Sequence, residues 1–253
     1  MATAESVKAK IQGLIDTANN TTGNADKDLT AAVGALVAGY GAGGGSEDYY
    51  NTLWDIFQQN GERANYQYAF AGHGWNDETF KPKYPIKATS GSGMFYLSQI
   101  TELPAGAVDW SYYNKSAYGS DMFANCTKLK IVHDAINIAN IGRFNNMFSS
   151  CAALETVSFE GSNTGANWSN TFLGCSNLKN VRFNGIIVGV TNAIPPSFKD
   201  SPLLTNESVE SIINALGDLT GMTTKNIVFH ADVKARMTQE QIATITNKNW
   251  TLA

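Results

Sequence analysis

The 253 residues suffice for a domain with a genuine core, and 43% apolar against 16% charged residues excludes a disordered chain. The formal net charge of −4 denies the chain the basic excess of a duplex-binding surface, so nucleic acid is not an expected partner. No run approaches the ~20 apolar residues of a bilayer span, so membrane insertion is not expected either.

The chain opens with MATAESVKAKIQGL, which lacks the apolar core and cleavage site of a signal peptide. Synthesis and folding in a cytoplasm are therefore expected. Residues 4–18 place Val7, Ile11, Leu14 and Ile15 on one helical face, and residues 26–40 do the same with Leu29, Val33, Leu36 and Val37. NNTTGNA between them reads as a turn. Residues 1–40 thus predict a helical hairpin. Two short helices bury too little surface to stand alone, so these eight apolar side chains are candidates for attachment or oligomerisation. GAGGGS, residues 41–46, follows as a Gly-rich linker. Residues 47–63 predict a capping helix with Tyr50, Leu53, Trp54 and Phe57 inward.

From residue 64 the chain repeats itself. MFANCTKLKIV, MFSSCAALETVSFEG and TFLGCSNLKNVRFNG share a phrase whose Phe falls at Phe123, Phe148 and Phe172. Looser copies place Phe70, Phe95 and Phe198 in the same register, giving spacings of 25, 28, 25, 24 and 26 residues. Such periods lie in the leucine-rich-repeat range. Within a copy, Phe-x-x-Cys-x-x-Leu predicts a short helix or 3₁₀ turn on a core. Alternation then follows, as in Leu154, Val157 and Phe159, or Leu178, Val181 and Phe183, before Gly161 and Gly185. Period two predicts a strand with one buried face, and stacked copies predict a parallel sheet. Repeats are expected over residues 64–204.

Cys126, Cys151 and Cys175 each lie three residues after the Phe; His73, Ser98 and Ser201 occupy that place in other copies. Their spacing fits no zinc motif, and they predict a row of buried, reduced thiols. His73 is expected in the core by the same alignment. His133 aligns with Ser158 and Arg182 on the outward strand face.

VDWSYYNKSAYGSD, residues 108–121, carries Trp110, Tyr112, Tyr113 and Tyr118 in the longest excursion between repeats, and Trp168 lies in the corresponding region two repeats later. Trp and Tyr among Asn, Ser and Gly make adaptable contact surfaces and stack on sugar rings. These five are candidate ligand-binding residues; the alternative is that they fill the convex side of the repeat body.

Residues 205–253 predict an α/β cap: a helix over NESVESIINALGDL, a strand at NIVFH, a helix over TQEQIATITNKN with Thr238 and Gln241 as a capping box, and a final strand at WTLA. No HExxH, GxSxG, P-loop or strand-bound GxGxxG occurs. No catalytic residue, metal site or cofactor is therefore assigned, and the chain is not expected to be an enzyme.

The phrases MFSSCAALETVSFEG and TFLGCSNLKNVRFNG resemble the BspA-type leucine-rich repeats of bacterial surface and phage proteins. AFAGHGWNDETFKPKYPI and QIATITNKNWTLA resemble segments of such repeat proteins in prophages. IQGLIDTANNTTGNADKDLTAAVGALVAGYG is similar to N-terminal segments of phage tail and other virion proteins. The resemblance implies an α/β leucine-rich-repeat solenoid with a parallel β-sheet, an N-terminal helical hairpin and helical caps. It further implies a virion structural protein (tail fibre, receptor-binding or capsid decoration) that meets other virion proteins through residues 1–40. That protein would form a homo-oligomer and contact a host-surface protein or glycan. A bacterial cell-surface adhesin or protein-interaction module is the alternative.

Overall fold

The computed structural model describes residues 64–253 apart from residues 79, 81, 83, 84, 114–116 and 191. The expected hairpin, linker and capping helix over residues 1–63 lie outside the described residues.

The Phe register is the axis of the fold. Ring stacks on ring from Phe70 to Phe95, Phe123, Phe148, Phe172 and Phe198, with centroids 5.5, 5.1, 5.1, 6.0 and 5.0 Å apart and interplanar angles of at most 21°. Phe229 adds a seventh ring, 5.8 Å from Phe198. All seven side chains are buried. A pile of near-parallel rings at this spacing requires successive coils to superpose, so the sequence period becomes a spatial row.

Strands line one side of this file. β3 (Glu102–Leu103), β5 (Ile131–Val132), β8 (Thr156–Glu160) and β9 (Asn180–Asn184) pair in parallel in that order. Val157 faces Val181 and Phe159 faces Phe183 across the ladder, all four buried, while Ser158 and Arg182 point outward. The predicted alternation is present. Further parallel pairs are β1 (Ala64–Asn65) with β2 (Ala88–Ser90), β4 (Ala117–Tyr118) with β7 (Ile141–Arg143), and β6 (Ile136–Asn137) with the end of β8.

The segment carrying Phe95, Phe123, Phe148 or Phe172 differs from expectation. It is neither an α-helix nor a 3₁₀ helix. Two linked turns run through it, with left-handed residues two positions either side of the Phe: Gly93 and Leu97 about Phe95, Asp121 and Asn125 about Phe123, Asn146 and Ser150 about Phe148, Asn170 and Gly174 about Phe172. The reason is in the hydrogen bonds. Even-numbered amides around Phe95 close turns within their own coil (Met94 N to Gly91 O, Tyr96 N to Gly93 O), while odd-numbered ones donate to the next coil (Phe95 N to Met122 O, Leu97 N to Ala124 O). A helix would direct every amide along its own axis and leave the coils unbonded to one another. Asp, Asn and Gly tolerate positive φ, which is why they recur at these places.

The C-terminal block closes the exposed strand edge. Helix α1 (Asn206–Ala215) lies against β9. Ser208 Oγ accepts from Val181 N at 2.9 Å and donates to Lys179 O at 2.9 Å; one turn later Ser211 Oγ accepts from Phe183 N at 2.8 Å. β10 (Ser197–Phe198), β11 (Lys225–Phe229) and β12 (Trp250–Leu252) form a parallel three-stranded sheet. A short helix α2 (Ala231–Ala235), absent from the prediction, is N-capped by His230, whose Nδ1 accepts from Asp232 N. Helix α3 (Gln239–Asn247) carries the predicted Thr238–Gln241 capping box. Lys248 Nζ donates to the carbonyls of Ile213, Asn214 and Leu216 and so satisfies the end of α1.

Candidate functional site

The three thiols form the expected row. Cys126 Sγ donates to Phe95 O at 2.9 Å, Cys151 Sγ to Phe123 O at 2.9 Å and Cys175 Sγ to Phe148 O at 3.1 Å. Ser98 and Ser201 continue the row at its ends, Ser98 Oγ lying 3.3 Å from Cys126 Sγ and Ser201 Oγ donating to Cys175 O. All three cysteines are buried and free. Desolvation pushes the Cys126 thiol up to about 11 and the Cys175 thiol up to about 12, and raises Cys151 well above the ordinary range. A protonated, buried thiol is a poor nucleophile, so the row ties coil to coil. Iodoacetamide at pH 8 is expected to spare all three in the native protein and label all three after unfolding. Folding raises these pKa values, so the stability linked to them is intact below the unfolded thiol value of about 8.5 and is lost as pH climbs through about 11 to 12. Denaturant midpoints measured between pH 8 and 11.5 check the sign.

His73 departs from this row. It is exposed, with its Nδ1 3.0 Å from Gln99 Nε2. Trp75 takes the core space instead, packing edge-on to Phe70 at 4.8 Å, because an indole fills the end of the stack where an imidazole leaves a void. His133 is exposed on the outward strand face, 2.7 Å from Glu102. The outward placement matches its alignment, and an exposed pair of this kind contributes little to stability.

The five candidate aromatics do not share one surface. Trp168 is fully buried: its ring stacks on Phe144 at 4.0 Å and meets Phe159 and Phe183 edge-on. Its Nε1 donates to Ile187 O at 3.3 Å. Tyr113 is 2% exposed and Trp110 is 6% exposed. Three of the five candidates, Trp110, Tyr113 and Trp168, are thus packed inside the body. The physical cause is a second interior column four residues before each Phe, occupied by Gly91, Gly119, Phe144 and Trp168 in successive coils. Where the column holds Gly, neighbours fill the room: a Cβ on Gly91 would sit 2.3 Å from Tyr113 Oη and 2.5 Å from Met122 Cε, and one on Gly119 2.4 Å from Met147 Cε. Of the five, Tyr112 is half-buried beneath Lys87 Nζ, 5.3 Å from its ring centroid, and Tyr118 is 40% exposed beside Arg143, 4.9 Å from its ring centroid.

Trp110 nevertheless belongs to a concavity. A 3₁₀ turn over Trp110–Tyr112, N-capped by Asp109, lies against β2 and β6. Beside it opens a cleft of about 460 Å³ whose walls include Pro85, Val108, Asp109, Trp110, Asp134 and Glu160. The size suits a small organic group. Asp109 Oδ1 accepts from Ser111 N and Ser111 Oγ, and Asp134 Oδ2 accepts from Gly106 N, so both carboxylates are held by backbone donors. Asn137 Oδ1 accepts from Ala139 N at 3.0 Å. Among the described residues the buried indole Nε1 of Trp110 has no hydrogen-bond partner. Nothing in the sequence pointed to Asp109, Asp134, Asn137 or Glu160; they come from three different coils, and no single phrase carries them.

Among the described residues no group of three His, Cys, Asp or Glu side chains could hold a metal ion, and no helix is long and apolar enough to cross a membrane. Neither the curated proteins nor the solved structures give a match to the chain. Residues 112–220, however, match the family model described as a BspA type Leucine rich repeat region, in six copies, and this supports placing that segment with the leucine-rich repeats.

Proposed function

We propose that the chain is a non-enzymatic interaction protein, a rigid leucine-rich-repeat solenoid that holds out a ligand surface, mounted on a phage virion through residues 1–40. The observation that carries the interaction reading is the open cleft beside Trp110, set into a body whose coils are locked by stacked rings and cross-coil hydrogen bonds. Its ligand is a host-surface glycan or protein, and several copies in a homo-oligomer would raise weak binding by avidity. The virion setting is supported by the resemblance of residues 11–41 to N-terminal segments of phage tail and other virion proteins. The BspA-type match favours a second setting, a bacterial surface adhesin, with the same ligand-bearing body.

Antibody-gold labelling of particles and of cells tests the setting. Label on particles supports the virion reading, and label confined to the cell wall replaces it with the adhesin. In the full chain, Val33→Asp with Leu36→Asp is expected to abolish co-sedimentation with particles while the far-UV spectrum stays unchanged. Undiminished co-sedimentation would move the attachment elsewhere.

A further inference from the structure

We infer that the turn face of the first coils binds an extended, β-linked pyranose chain, with Tyr68 and Tyr118 as its stacking platforms. The inference rests on the glycan reading above and places that ligand on a surface distinct from the cleft. It starts from a backbone outlier. The residue two positions before the Phe is left-handed in five successive coils, and four of these carry types that accept positive φ: Gly93, Asp121, Asn146 and Asn170. The first coil carries Tyr68, at φ 55°. A bulky ring in that conformation is strained, and at 56% exposure burial offsets little of the strain. A local rule broken at one position, without a packing reason, points to a contact residue.

The ring is held as a platform. It lies across Gly93, where a Cβ would sit 2.2 Å from Tyr68 Cε1, and Tyr96 braces it edge-on with centroids 6.2 Å apart. Tyr118 supplies the second platform, 40% exposed, with the Arg143 guanidinium 4.9 Å from its centroid. The two tyrosines belong to one surface. Tyr68 N donates to Ser92 O, and Ser92 Oγ donates to Tyr118 O, so Ser92 lies between them; Gly93 N donates to Ser120 O on the following coil. This chemistry selects a sugar. A pyranose presents CH groups on its faces and hydroxyls round its rim. The tyrosine rings take the first, and the Ser92 and Ser120 hydroxyls and the Arg143 guanidinium take the second. A peptide anchors by burying a side chain in a pocket, whereas these rings stand out from the surface. The coils here are 5.5 and 5.1 Å apart, close to the advance per residue of an extended β-1,4-linked chain, so such a chain laid along the axis keeps step with them. An α-1,4-linked chain curls away from a straight track.

The test is titration calorimetry of the full chain with cellohexaose and chitohexaose as β-1,4-linked probes and maltohexaose as the α-1,4-linked control. At least one β-linked hexamer is expected to bind about tenfold or more tightly than maltohexaose, and Tyr68→Asn is expected to weaken it about tenfold, the worth of one stacked ring. Asn stands at the same place in two other coils, so Tyr68→Asn is expected to leave Tm unchanged or raised, which a purely structural tyrosine would not do. Tyr118→Ser is expected to weaken binding severalfold. No binding of either β-linked hexamer, equal binding of maltohexaose, undiminished binding by Tyr68→Asn, or a lowered Tm in that variant overturns the inference. Adsorption to host cells is read with the same proteins. Adsorption that survives Tyr68→Asn with Tyr118→Ser sinks this surface and leaves the display reading in place. Adsorption lost in that double variant when no hexamer binds the parent marks a protein partner instead, and a parent chain that adsorbs to no cell sinks the display reading itself.

Discussion

Phe148→Ala is expected to remove about 3–5 kcal/mol of folding stability, measured by urea unfolding, which is a large part of what a single domain has. Phe148 stands in the middle of the ring file, with Phe123 on one side at 5.1 Å, Phe172 on the other at 6.0 Å, and Phe159 edge-on at 6.5 Å. Truncation leaves a void between two coils whose backbones are hydrogen-bonded to one another, Phe148 N to Thr171 O and Phe123 N to Met147 O. The coils cannot close the gap without breaking those bonds, so the cavity persists at nearly full size. Phe229 ends the file and among the described residues stacks on Phe198 alone, so Phe229→Ala is expected to cost less. Equal losses at the two positions would mean that the file does not act as a continuous stack.

A similar loss, about 3–5 kcal/mol, is expected for Gly185→Ala, although only one methyl group is added. Gly185 has φ +144°, and a Cβ there would lie 2.0 Å from Gly161 O and 2.5 Å from Gly161 C. Those atoms are backbone of the preceding coil and cannot rotate away. The coils must part where β8 and β9 end, at the close of the sheet's longest pairing. Gly221 supplies the comparison. It has φ +78° with nothing within 4 Å of a built Cβ, so Gly221→Ala carries only the conformational cost, about 1 kcal/mol. Thermal or urea unfolding of the pair separates steric approach from backbone preference.

The features legible in the sequence were those that recur. Six phenylalanines at near-constant spacing became six stacked rings, and the alternation Val157, Phe159 and Val181, Phe183 became paired strands. The turn chemistry was missed because apolar residues at i, i+3 and i+6 suit a helix as well as a pair of turns. The signal lay in Asp121, Asn125, Asn146 and Asn170, residue types that accept positive φ. Leu97, also left-handed at φ 61°, gave no such sign. Trp168 was named as a candidate ligand-binding residue with filling of the repeat body as the alternative; it stands four residues before Phe172 as Phe144 stands four before Phe148, and that shared offset marked it as interior. Phe229 joined the file after 31 residues rather than about 25, outside the period that identified the others. The cleft was illegible for a different reason. Its polar groups lie on separate coils and converge only once stacking has brought Asp109, Asp134 and Glu160 to one shoulder.

The two serines of α1 have a consequence for assembly. Ser208 and Ser211 occupy Val181 N and Phe183 N, the amides that another β-strand would need in order to extend the sheet. At this end the protein has a terminus that refuses recruits. Growth into a filament by strand addition is blocked there by two hydroxyl groups, so copies of the chain that gather in one assembly must meet through some other face.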